Sequence, residues 1–156
     1  EQPLHLQYHF KISDLNGIEG RVLISDQDLN LDVTFSMYGD FIQMSGSWNA
    51  TLSLECQRCL KAFDQALSQS FSLCLVSCEK DLEKVPESFE GMVLDPKELL
   101  DIHEFISEEI VLALPIVPRH ESIDCNPILS QLHESNVAEA PENPFKILAR
   151  LTKPTS

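Results

Sequence analysis

Ile42-Gln43-Met44-Ser45-Gly46-Ser47-Trp48-Asn49-Ala50-Thr51-Leu52-Ser53-Leu54-Glu55-Cys56 places an apolar or small residue at every second position. A period of two marks a strand with one buried face, because successive side chains point to opposite sides. A strand of this length is unusual, and Gly46 is where a bend or bulge is expected. The run ends in Glu55-Cys56-Gln57-Arg58-Cys59-Leu60. Two thiols three positions apart can close a turn around one metal ion or on each other.

The flanking segments extend the pattern. Leu29, Leu31, Val33, Phe35 and Met37 alternate with Asn30, Asp32, Thr34, Ser36 and Tyr38, and Gly39-Asp40 predicts a tight turn into the central strand. Beyond the cysteines, Leu67, Phe71, Leu73 and Leu75 oppose Ser68, Ser70, Ser72, Cys74 and Val76, which predicts an antiparallel partner. Leu4, Leu6, Tyr8 and Phe10 suggest a strand within Pro3 to Ile12, Asn16-Gly17 a turn, and Val22-Leu23-Ile24 a short strand. Glu79 to Gly91 reads as an acidic loop anchored by Phe89.

Asp95-Pro96-Lys97-Glu98 has the form of a helix start. Leu99, Ile102, Ile106 and Ile110 follow at helical spacing, and Leu114-Pro115 closes the helix. Pro115 to Cys125 is expected to return as an extended segment. Asn143-Pro144 caps a last short helix with Phe145, Leu148 and Leu151 on one side. The expected class is α+β: a twisted antiparallel sheet of about five to six strands, one main helix packed on it and a short C-terminal helix. Residues 1–125 form the domain, 126–142 a flexible linker, and 143–156 the terminal helix and tail.

With 156 residues, 43% hydrophobic and 23% charged, the chain can bury one core without staples. No apolar run approaches the roughly 20 residues of a bilayer span. The N-terminal residues lack the pattern of a signal peptide, so a cytoplasmic location is expected. Twenty-five acidic residues against 11 Lys and Arg give a net charge of -14. That argues against strong phosphate binding by the whole surface and for a basic partner or one small basic patch. Five cysteines exclude complete disulfide pairing in a monomer, leaving thiols that are reduced, metal-bound or buried.

Cys56, Cys59, His120 and Cys125 are the sharpest chemical candidates. Zinc takes four thiolate or imidazole ligands as a tetrahedron, and four protein ligands make a closed, structural site. The main helix must then return the segment from Pro118 to Cys125 to the cysteine turn. The plain alternative is a Cys56 that ends a buried face and an incidental Cys59. A redox role needs a depressed thiolate pKa, usually from a helix N-terminus; Arg58 and Lys61 favour thiolate, but no βαβ context surrounds the motif. Cys74 and Cys78, on one face of an extended strand, stand about 13 Å apart, beyond disulfide reach.

Glu104 and Glu108, with His103 and Glu109, fit either an acid–base pair or a solvated helix face. No phosphate loop, nucleophile elbow or paired-histidine motif accompanies them. Neither an enzyme nor a small-molecule substrate is expected. Arg58, Lys61 and Arg119 near the cysteines, and Lys146 and Arg150 in the acid-free stretch from Asn143 to Ser156, are candidates for contact with RNA phosphate or an acidic partner groove. A last helix that docks with its charges in water is the alternative.

Three motifs in order carry a family resemblance. These are Glu55-Cys56-Gln57-Arg58-Cys59 after a hydrophobic strand, Glu108-Glu109-Ile110-Val111-Leu112-Ala113-Leu114-Pro115-Ile116-Val117-Pro118 with His120 and Cys125, and Asn143-Pro144-Phe145. Together they resemble the bacterial YceD family over most of the chain. Many members carry further cysteines after the proline-rich segment, where this chain has only Cys125. The resemblance implies a non-enzymatic ribosome-biogenesis factor supporting accumulation or processing of large-subunit (23S) rRNA. It implies protein or ribonucleoprotein contact with pre-50S particles, and it supports Zn2+ on Cys56, Cys59, His120 and Cys125. The alternatives are a chaperone for a basic ribosomal protein, which the charge favours, and a Cys-x-x-Cys oxidoreductase.

Overall fold

The structure, a computed structural model, describes residues 2–23, 26–128 and 131. The chain divides into two compact units, Glu1–Arg119 and His120–Ser156. The first holds the sheet: β1 (Leu4–Lys11), β2 (Asp28–Tyr38), β3 (Phe41–Glu55), β4 (Ala62–Val76), β5 (Glu90–Val93), and the helix α1 (Ile102–Ala113). The strands lie side by side in chain order. β1 to β4 pair antiparallel, and β5 runs parallel to β4. The architecture is α+β as expected, with a parallel edge that the alternation did not indicate.

That edge lies partly in the stretch expected to be a loop. A parallel return needs a crossover, and the chain from Ser77 to Phe89 supplies it through a 3-10 turn at Glu79–Lys84. β5 is four residues long and contains Gly91, so it has no alternation to read. A Cβ at Gly91 would sit 2.5 Å from Leu82 Cδ2; the crossover side chains press directly on the strand.

The expected bulge at Gly46 is absent. Gly46 faces Val33 on one side and Phe71 on the other in an unbroken register. A Cβ there would strike the Asp32 carbonyl oxygen and lie 2.8 Å from Phe71 Cζ. The glycine serves close approach of the neighbouring strands. Across the same face, Leu31 pairs with Trp48, and Met44 lies between Phe35 and Leu73. Trp48, Met44, Leu29, Leu52 and Leu54 are completely buried.

α1 covers this face with Phe105, Ile106 and Ile110, all buried. Phe105 meets Phe71 edge to face at 5.0 Å, and His103 meets Phe10 at 4.7 Å. The helix begins later than Asp95-Pro96 suggested. Asp95 closes an isolated turn, accepting from the Lys97 amide at 2.9 Å. Asp101 is the true cap, its side chain accepting from the amides of His103 (2.8 Å) and Glu104 (3.3 Å). An Asx turn and an N-cap use the same side-chain-to-amide bond, so the sequence held two starts. Leu99, assigned to the buried stripe, is 94% exposed. The end at Leu114 stands as expected.

The opposite sheet face is polar. Asp32 accepts from Gln7 at 2.9 Å and pairs with His5 at 2.6 Å; the Gln7 bond, with His5, holds its carboxyl below the usual range. β4 ends at Val76, so Cys78 does not share a strand face with Cys74 as the alternation suggested. Cys74 is buried, which pushes its thiol pKa up. Cys78 is exposed and donates to Asp81 at 3.2 Å. No helix among the described residues is long and apolar enough to cross a membrane. Ile24 and most of the linker and tail assigned to 126–156, including the expected terminal helix, lie outside the described residues.

Gly46→Ala should destabilise the protein by about 2–4 kcal/mol, because backbone and an aromatic ring must both yield. A urea midpoint unchanged from wild type would show that the β2–β3–β4 approach is looser than described.

Candidate metal centre

The alternation of β3 carries Leu52, Leu54 and Cys56 into the core face, all completely buried. The chain then reverses within five residues. The Leu60 amide donates to the Cys56 carbonyl at 2.8 Å, and the Cys56 amide donates to the Lys61 carbonyl at 3.0 Å. Inside the turn, the Arg58 amide donates to Cys56 Sγ at 3.4 Å. Leu60 takes φ 59°, a left-handed conformation costing roughly 1–2 kcal/mol for a residue with a Cβ.

A second contact brings the chain after α1 to this turn. The Gln57 amide donates to the Pro118 carbonyl at 2.9 Å. His120 follows by two residues, so its Cα lies no more than about 7.6 Å from that of Pro118. In the second unit, the Ser122 hydroxyl accepts from the Asp124 amide at 3.2 Å and starts the 3-10 turn Ile123–Cys125.

The ligand atoms of Cys56, Cys59, His120 and Cys125 all lie within 4.8 Å of one another. A tetrahedron with metal–sulfur bonds of ~2.3 Å separates its sulfurs by ~3.8 Å. No disulfide joins any of the five cysteines. Cys56 is buried and the other three ligands are half-buried. Three thiols and one imidazole are a donor set suited to zinc, so this cluster can hold a metal ion.

Around the turn, Arg58 is half-buried, and Lys61 and Arg119 are exposed. Arg58 and Arg119 directly follow the two residues joined by the Gln57–Pro118 bond. Lys146 and Arg150 lie outside the described residues. The carboxylates weighed as an acid–base pair lie on α1, where Glu104 and Glu108 are exposed and Glu109 is half-buried. Burial, then the neighbouring Glu90 and Glu108 charges, holds the Glu109 carboxyl above its usual range. The Trp48 N–H has no acceptor at full hydrogen-bonding distance and only weakly offsets this. No sequence signal marked the Gln57–Pro118 bond, since it joins backbone groups.

Fold and site together define a five-stranded α+β module built around a Cys3His cluster. Residues 44–152 match the family described as "Large ribosomal RNA subunit accumulation protein YceD". A protein of that name from Haemophilus influenzae is 32% identical over 127 residues, covering 76% of this chain and 72% of its own length. The chain belongs to the YceD family. No solved structure matches it.

Leu60→Gly should raise the unfolding free energy by about 1 kcal/mol, because glycine adopts positive φ at no steric cost. The side chain is 69% exposed, so little packing is lost. A lower urea midpoint in the variant would show instead that Leu60 makes a contact the turn depends on.

Proposed function

We propose that this protein is a non-enzymatic ribosome-biogenesis factor that supports the accumulation of large-subunit (23S) rRNA in the bacterial cytoplasm. The observation that carries this reading is the family match, which spans residues 44–152 and so contains all four candidate ligands. The relative at 32% identity bears the same description.

Zinc on Cys56, Cys59, His120 and Cys125 serves this role as a structural ion. Four protein ligands leave no open position for water or substrate, so the ion would fix the turn and the returning chain rather than polarise a bond. The half-buried and exposed cations Arg58, Lys61 and Arg119 would then present a small basic patch beside it, with Lys146 and Arg150 on the tail as a second. Contact is made through a ribosomal protein or a ribonucleoprotein surface, because a net charge of -14 disfavours broad contact with RNA phosphate.

A second reading, a chaperone for a basic ribosomal protein, is favoured by that same charge. An oxidoreductase role has less support: the cysteine turn joins two strands, with no helix N-terminus to depress the thiolate pKa.

Cells lacking the protein should accumulate less large-subunit rRNA and fewer free 50S particles; unchanged levels of both would sink the proposal. Elemental analysis of protein purified without chelator should give about one zinc per chain, lost in Cys59→Ser and in Cys125→Ser. Metal retained in both variants, or absent from the wild type, would remove zinc from the account and leave the rRNA role to be judged on the cellular result.

A further inference from the structure

Among the described residues, the outer side of α1 and the segment from Asn16 to Arg21 enclose a groove of about 760 Å³. This is a volume at which a site takes a ligand of several side chains. Its walls combine two features that are seldom left in water together. One is apolar: Val111 lines the groove beside Leu112, which is 80% exposed although it sits on a folded helix. The other is acidic: Asp101, Glu104 and Glu108 stand on the same side.

Glu104 and Glu108 are one helical turn apart, where like charges repel, and no ion pair joins either to a described residue. Asp101 is engaged in capping through one oxygen, Oδ1. Arg21 and His103 are the basic side chains in the lining. The apolar wall continues past Val111 into an adjoining depression lined by Ile116, which is completely exposed.

From this charge complementarity we infer that the groove binds a lysine- or arginine-rich protein segment carrying an apolar anchor. The cations would relieve the Glu104–Glu108 repulsion, and the anchor would cover Val111 and Leu112. RNA is the wrong ligand for this surface, because its phosphates would face three carboxylates. The inference rests on the proposed function in so far as it names the kind of ribosomal component the protein would hold, and it assigns that contact to α1 rather than to the cysteine turn.

The test is fluorescence anisotropy with a labelled 14-residue peptide that sets lysines on one helical side and leucines on the other. The full-length chain should bind it, and binding should weaken at least tenfold in Glu104→Gln/Glu108→Gln and in Leu112→Ser. A control with the same charge change away from the groove, Glu83→Gln/Glu87→Gln, should bind as the wild type does. Urea midpoints matching the wild type would establish that each variant is folded. Equal weakening in the control, equal affinity for a lysine–serine peptide, or a preference for a single-stranded 20-nucleotide RNA would each overturn the inference. Groove variants that lose the peptide yet restore 23S rRNA in a deletion strain would refute this groove as the working contact and leave the rRNA role standing. Peptide binding by a protein whose removal leaves rRNA unchanged would do the reverse.

Discussion

β3 is hydrogen-bonded along both edges, to β2 from Leu29 to Tyr38 and to β4 from Ala62 to Leu75. In such a ladder a slip of one residue turns every side chain to the other face. The register therefore sets more than the core. With Trp48 directed inward opposite Leu31, parity also directs Leu54 and Cys56 inward, and the first thiol arrives at the turn already buried. Gly46 permits that register where only a hydrogen atom fits between Asp32 and Phe71. The position of the cysteine turn is thus a result of sheet geometry ten residues away as much as of the cysteines.

Much of this was legible because a half-buried strand carries its own code. β1 to β4 follow from alternation, and the β3–β4 reversal follows from the cysteine spacing. What escaped did so for physical reasons. Asp95 and Asp101 are both able to bond amides two residues on, and the deciding factor is which following segment packs on the sheet: Phe105, Ile106 and Ile110 do, while Leu99 does not. Gly46 was read as a place for a bulge, since a strand glycine signals either distortion or close approach. β5 is too short, and too dependent on Leu82 and Val85 above Gly91, to show a pattern.

The Cys3His set was legible as residue types and as a grouping at the cysteine turn, but the contact that holds the returning chain there was not. The chain leaving α1 is held to the turn as far as Pro118 by a bond between two main-chain groups, Gln57 N–H and Pro118 C=O. Backbone bonds of that kind leave no trace in side-chain identity. The groove beside α1 was invisible for the opposite reason: helical spacing puts Leu112 on the face of Glu104 and Glu108, but nothing in one sequence says that the segment from Asn16 to Arg21 comes to stand opposite it. Charge, too, is unevenly informative. The total of -14 argues about partners in general, and only the fold shows three of those acids lining one apolar groove.

The order of elements along the chain also has a bearing on synthesis. The four-stranded meander is complete at Val76, but the helix that covers its apolar face does not end until Ala113. At the usual 5–20 residues per second, ribosomes take roughly 2–7 s to traverse that interval. Until α1 follows, Trp48, Met44 and Leu31 lack Phe105, Ile106 and Ile110, the helix residues buried with them in the folded protein. The speed of translation between β4 and α1 therefore sets how long the apolar face of the meander waits for its cover.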